Sequence, residues 1–143
     1  MYEAKALYNY AFYHQWYSRY FLVEEFYAKA ISKFTELKDD TWLAGIYQNL
    51  SAMYANMPDY VKALDANFKA IALYSKGKAD EESVAACFVN VASVYAKLGQ
   101  ESLSIQYLEK AIKVFARYKG NNYGLALSHA NIGEAYYSMG SRT

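Results

Sequence analysis

The chain has 143 residues, of which 55% are hydrophobic and 20% charged, and its net charge at neutral pH is +1. That composition supplies a core for one ordinary domain and excludes an intrinsically disordered chain. The balanced charge, without clustered Lys or Arg, gives no electrostatic footprint for nucleic acid or an anionic membrane surface.

The lone cysteine, Cys87, excludes an internal disulfide and a cysteine-built zinc cluster. No run approaches the ~18 consecutive apolar residues of a membrane-spanning helix. Met1-Tyr2-Glu3-Ala4-Lys5 does not resemble a secretory leader. The compartment stays open, with the cytoplasm favoured and the periplasm available if a leader was removed. The one proline is Pro58, and period-2 runs between turn clusters are missing, so an all-α chain is expected.

Seven helices are predicted, at 3–18, 21–37, 42–57, 60–76, 82–98, 101–118 and 124–139. The first sets Leu7, Tyr10, Ala11 and His14 on one face, and the second sets Val23, Ala30, Ile31 and Phe34. Polar Lys38-Asp39-Asp40-Thr41 separates them from the third, with Tyr47, Leu50, Ser51 and Tyr54. Pro58-Asp59 stops that helix and offers an N-cap to the fourth, which carries Ala63, Ala70, Ile71 and Tyr74. After a polar turn around Gly77 the fifth presents Phe88, Val91, Ala92 and Tyr95, and Gly99 suits its C-terminus. The sixth carries Ser104, Ala111, Ile112 and Phe115. After a turn around Gly120 the seventh carries His129, Ile132, Gly133 and Tyr136, with Gly140 expected to end it.

One pattern therefore recurs. It is keyed by Asn9, Asn49, Asn90 and Asn131, spaced 40, 41 and 41 residues apart, and by Lys-Ala-Ile in one register at 29–31, 69–71 and 110–112. The units are about 4–41, 42–80 and 83–121, with a half unit at 124–140. Helix pairs of this kind cannot bury their apolar faces alone and stack on their neighbours into an α-solenoid. The missing partner of the last helix and the aromatic first helix suggest a piece of a longer repeat protein.

The runs Asn-Val-Ala-Ser-Val-Tyr-Ala-Lys-Leu-Gly (90–99), Tyr-Leu-Glu-Lys-Ala-Ile-Lys-Val-Phe (107–115) and Asn-Ile-Gly-Glu-Ala-Tyr-Tyr-Ser-Met-Gly (131–140) resemble the tetratricopeptide repeat (TPR). The usual unit is ~34 residues, and the longer unit here is similar to those of bacterial regulatory tetratricopeptide proteins and animal polarity adaptors. The resemblance implies a right-handed, all-α solenoid of antiparallel helix pairs whose first helices line a concave groove for a protein or peptide. The first unit departs most, with His14 where tyrosine recurs and Tyr17-Ser18 where Leu-Gly recurs.

On that reading the groove face carries Tyr8, Asn9, Phe12 and Trp16, then Gln48 and Asn49, then Asn90 and Lys97, then Asn131, Glu134 and Tyr137. An asparagine amide can pair with both the N–H and the C=O of a bound backbone, so a ladder of them would hold a peptide irrespective of its sequence. The competing reading is that the asparagines bond neighbouring helices. The clamp that tetratricopeptide proteins use for chaperone C-termini needs Lys and Arg where this chain has Tyr8, Phe12, Ala86 and Asn90, so that mode is not expected.

Catalysis is not expected. His14 and His129 fall on core stripes and are read as satisfied, partly buried residues. Cys87 reads as packing, and the pairs Glu24-Glu25, Asp39-Asp40 and Glu81-Glu82 as solvated helix-terminal charges. No phosphate loop, HExxH or CxxC occurs, and no metal or cofactor is expected. The expectation is a peptide- or protein-binding scaffold or sensory module. The alternative is a structural or oligomerisation spacer acting through its apolar terminal helices.

Overall fold

The computed structural model describes residues 1–17, 19–76, 80–118 and 122–142, with nothing of the Asn122 side chain. Among them are seven α-helices and no strand: α1 Tyr2–Trp16, α2 Tyr20–Glu36, α3 Asp40–Asn56, α4 Tyr60–Tyr74, α5 Glu81–Lys97, α6 Glu101–Phe115 and α7 Asn122–Ser141. The chain forms two compact units, Met1–Tyr74 and Ser75–Thr143. The expected turns at Gly77 and Gly120 lie outside the described residues.

In the first unit α1 packs on α2, α2 on α3 and α3 on α4. The recurring small positions are where the chain is tightest. Ala11 and Ser51 in the first helices, and Ala30, Ala63 and Ala70 in the second, are all buried. Around them Val23, Tyr27, Phe34, Ile46 and Met53 are fully enclosed. Each large apolar side chain so buried contributes about 1.5–3 kcal/mol. Phe34 stacks on Trp42 with ring centroids 5.1 Å apart, which ties α2 to the first turn of α3.

The second unit repeats the scheme with α5 on α6 and α7 on α6. Ala85, Val89, Ala92, Leu108, Ala111 and Phe115 form one buried cluster, with Leu125 and Ile132 of α7 against it. Ion pairs at opposite helix ends show that neighbours run antiparallel. Glu81 at the start of α5 meets Arg117 beyond the end of α6 at 3.0 Å, and Glu101 at the start of α6 meets Arg142 beyond the end of α7 at 2.8 Å.

The helix ends follow sequence chemistry. The side chains of Asp39, Asp59 and Asp80 accept from the backbone N–H of Trp42, Lys62 and Ser83, satisfying donors that a helix start leaves orphaned. Gly99 takes φ 70° at the end of α5, as expected. Lys38 adopts φ 54° between α2 and α3 without the help of glycine.

Four expectations are corrected. Gly140 does not end its helix, because α7 runs on to Ser141, whose hydroxyl donates to the Ser138 carbonyl oxygen at 3.0 Å. Glu24 is no terminal cap. It sits inside α2 and accepts from the Tyr54 hydroxyl at 2.8 Å, and burial together with this bond pushes the Tyr54 phenol up to about 12. His14 is buried but not satisfied: neither ring nitrogen has a hydrogen-bond partner among the described residues, and the ring packs against Tyr10 and Tyr13 instead. His129, also expected to be partly buried on a core stripe, is exposed. Cys87 is packing, fully buried, with its thiol pushed up to about 12 by burial and by Asp80.

One polar pair interrupts the small-residue contact between α3 and α4. Asn67 Nδ2 donates to Ser51 Oγ, both fully buried. Ser51→Ala is expected to cost about 1–3 kcal/mol by stranding the amide. The double change Ser51→Ala with Asn67→Leu, which installs the leucine found at the equivalent Leu108, should recover most of that loss. Urea unfolding of the three proteins measures the coupling, and strictly additive losses would contradict it.

Candidate functional site

Among the described residues, each unit has hollows bordered by the asparagine-bearing side of its first helices. Helical spacing lines up Tyr8, Phe12 and Trp16 along α1, with successive ring centroids 6.2 Å apart. Phe12 and Trp16 join Gln15, Tyr20 and Asn56 around a depression of about 340 Å³. Trp16 is 76% exposed there, so its indole is presented rather than packed.

Deeper in the same unit a polar knot joins three helices. Asn49 Nδ2 donates to the Tyr8 hydroxyl at 3.0 Å, the Tyr27 hydroxyl donates to Gln15 Oε1 at 3.2 Å, and Gln15 Nε2 reaches the Asn49 carbonyl oxygen at 3.5 Å. The Tyr27 phenol is driven well above its ordinary range, first by burial and then by neighbouring Tyr8, with a partial offset from the Asn49 amide. Tyr8 also meets Trp42 edge-on at 4.9 Å. Asn49 and Tyr8 are therefore committed to internal bonds. Gln48 is engaged too, accepting from the Tyr74 hydroxyl at 3.3 Å. Asn9 is exposed and lines no part of the depression.

In the second unit Asn90 and Asn131 open onto different hollows. Asn90 lines one of about 200 Å³ with Glu82, Ala86, Val89, Phe115, Tyr123, Gly124 and Leu127. Asn131 lines one of about 220 Å³ with Ser93, Ala96, Glu101, Ser104, Glu134, Ala135 and Ser138. Lys97 and Tyr137 are exposed and line neither hollow, and Tyr137 is 78% accessible.

Similarity to known proteins enters at the level of the fold. No protein-family model and no curated protein matches this sequence. The chain is similar to a solved structure, BtubC (BKLC) from P. vanneervenii. The match has a TM-score of 0.80 and 26% identity, over 90% of this chain and 52% of that one. The chain thus spans about half the length of BtubC. The likeness agrees with the seven-helix, repeat-like architecture described above.

The hollows at Trp16 and at Asn131 occupy the same register of the repeat. Phe12 and Ser93 stand three residues after their unit's asparagine, Tyr20 and Glu101 eleven after, and Asn56 and Ser138 seven after the next unit's asparagine. One position in the unit makes a hollow, and the side chains set its chemistry, aromatic in the first unit and acidic in the second. Gln15 and Asn56 follow from the asparagine register of the first helices, whereas Tyr20 and Glu101 belong to these sites although that register does not single them out. The switch from Tyr20 and Tyr60 to Glu101 at one register position is the sequence signal that marks the last.

Glu101 is buried, yet its carboxyl lies below the usual glutamate range. Its own backbone N–H is the largest cause, and the Ser138 hydroxyl and the Arg142 guanidinium add to it. Ser138 Oγ donates to Glu101 Oε1 at 3.1 Å. A carboxylate with a depressed folded pKa contributes stability above its unfolded pKa and loses it as pH falls through the folded value. Glu101→Gln should therefore lower the melting temperature at neutral pH. The gap to the parent should narrow as pH falls below the ordinary glutamate range and Glu101 itself protonates. Melting curves across pH read this, and a gap independent of pH would refute it.

Proposed function

We propose that this chain is a tetratricopeptide-type module that binds an extended peptide or protein segment on the asparagine-bearing face of its first helices. The observation that carries the proposal is the set of presented aromatics on that face. Phe12 and Trp16 flank a depression with the amides Gln15 and Asn56 at its wall, which is the combination of apolar anchor and backbone-pairing group that peptide grooves use. The likeness to BtubC, whose helical arrangement spans most of this chain, supports the repeat architecture on which the reading rests.

The peptide contact is assigned to the presented groups of the first unit, Phe12, Gln15, Trp16 and Asn56; in the second unit, taken by itself, Asn131 and Glu134 border a separate hollow. Asn49 holds Tyr8 and contributes to the rigidity of the wall. Selection from a displayed library of random linear peptides should enrich sequences that bind the parent chain. Phe12→Ala with Trp16→Ala should weaken them at least tenfold, about 1.4 kcal/mol, with little change in melting temperature, since both rings are exposed. Equal binding by the double variant would remove this face from the reading.

A second reading, oligomerisation through a terminal helix, is favoured by one observation. Tyr13, Trp16, Tyr17 and the neighbouring Phe21 are all exposed, and apolar patches of this kind mark interaction surfaces. Light scattering over a dilution series should show a concentration-dependent mass that Tyr13→Glu with Phe21→Glu abolishes if this reading holds. A constant monomer mass would exclude it.

A further inference from the structure

In the first unit three large side chains meet around one ring. Trp42 stacks on Phe34 at 5.1 Å, Tyr8 meets the indole edge-on at 4.9 Å, and the Lys5 ammonium lies 5.5 Å from its centroid. The repeat register carries each position into the second unit. Phe34 and Phe115 both stand 25 residues after their unit's asparagine, Trp42 and Gly124 seven before theirs, Tyr8 and Val89 one before, and Lys5 and Ala86 four before. The phenylalanine floor is kept, while the indole, the phenol and the lysine all give way to small residues. The result is the hollow of about 200 Å³ that Phe115, Val89, Ala86 and Gly124 border together. Tyr123 and Leu127 stand at its rim, 79% and 36% exposed, and Asn90 and Glu82 supply an amide and a carboxylate.

The geometry points to a binding site in this hollow for the indole of one tryptophan residue, flanked by a basic residue, on a partner peptide. The repeat itself specifies the ring, because indole is the group that takes this register in the first unit, packed on the equivalent phenylalanine. The hollow is smaller than the ~300–1,000 Å³ of sites for drug-sized ligands, so it holds a single side chain. An indole brings a large apolar surface and one N–H, which the Asn90 amide oxygen can accept. Charge selects the neighbour. In the first unit Lys5 brings a cation to the ring, whereas Ala86 brings none and Glu82 adds a carboxylate to the same hollow. The positive charge must therefore come with the ligand. The site belongs to the second unit by itself and does not depend on the Phe12–Trp16 depression.

The probe is the capped dipeptide N-acetyl-Trp-Lys-amide, titrated into the full chain and followed through the backbone amide resonances of Val89, Asn90 and Leu127. Saturable shifts at these residues are expected. N-acetyl-Leu-Lys-amide should bind about tenfold more weakly or worse, and N-acetyl-Trp-Glu-amide about threefold more weakly. Gly124→Trp, which restores the first-unit residue, should abolish binding and raise the melting temperature. Gly124→Ala should gain only helix propensity and keep the binding. Tyr123→Ala with Leu127→Ala, at the exposed rim, should weaken binding about tenfold with little change in melting temperature, and it decides the outcome if Gly124→Trp does not fold. Phe12→Ala with Trp16→Ala should leave the affinity unchanged. Absence of saturable shifts, equal affinity for the leucine dipeptide, or undiminished binding by the rim variant would overturn the proposal. Loss of the shifts in the Phe12 and Trp16 variant would move the site to the first unit and overturn it too. Equal or tighter binding of the glutamate dipeptide would overturn the assignment of a basic neighbour.

Discussion

Small side chains in both helices of each pair set the distance between them, and the remaining structure follows from that distance. Ala11, Ser51 and Ala92 in the first helices and Ala30, Ala70 and Ala111 in the second are fully enclosed. A larger residue at any of them would push the pair apart, at a typical cost of about 1–3 kcal/mol for an overpacked core. Close backbones leave room at the margins for large rings. Tyr27 and Tyr107 take that room within their own pairs, against Tyr8 and Phe88, and Phe34 stacked on Trp42 links the first pair to α3. The aromatic richness of the chain is thus partly a consequence of its alanines.

The same constraint explains why the asparagine-bearing face differs from helix to helix. The first helix α3 packs through two stripes, one toward α4 and one toward α2, so the asparagine face is what remains. Where a long side chain can still reach across, as Tyr8 and Gln15 do, the remaining polar groups bond one another. Asn49 then serves the fold. Where neighbours are short, as Ser93 and Ala96 are, a hollow stays open and Asn131 borders it. Identical residues in identical register therefore hold different roles, decided by the length of the side chains opposite.

Helix number, helix order and the enclosed small positions were readable from spacing, because burial imposes a 3.6-residue period that survives in one sequence. The second buried stripe, Ile46 with Met53 and Cys87 with Val94, was less visible. It reads as ordinary apolar content once the asparagine register has been chosen. His14 misled for a physical reason. Its position is that of a tyrosine whose hydroxyl reaches solvent or a carboxylate, as Tyr54 reaches Glu24, and the shorter imidazole cannot extend that far.

The sequence by itself determined an all-α chain of seven helices, the unit length, the capping aspartates and the glycine turn at Gly99, since each is a local property of a few residues or a period along one helix. Only the tertiary structure decided that Asn49 is occupied, that Glu101 borders a hollow and holds Arg142, and that Trp16 is presented. Those outcomes depend on which side chains from distant helices arrive at the same place and on how far each can reach, and neither quantity is written in the spacing of a single helix.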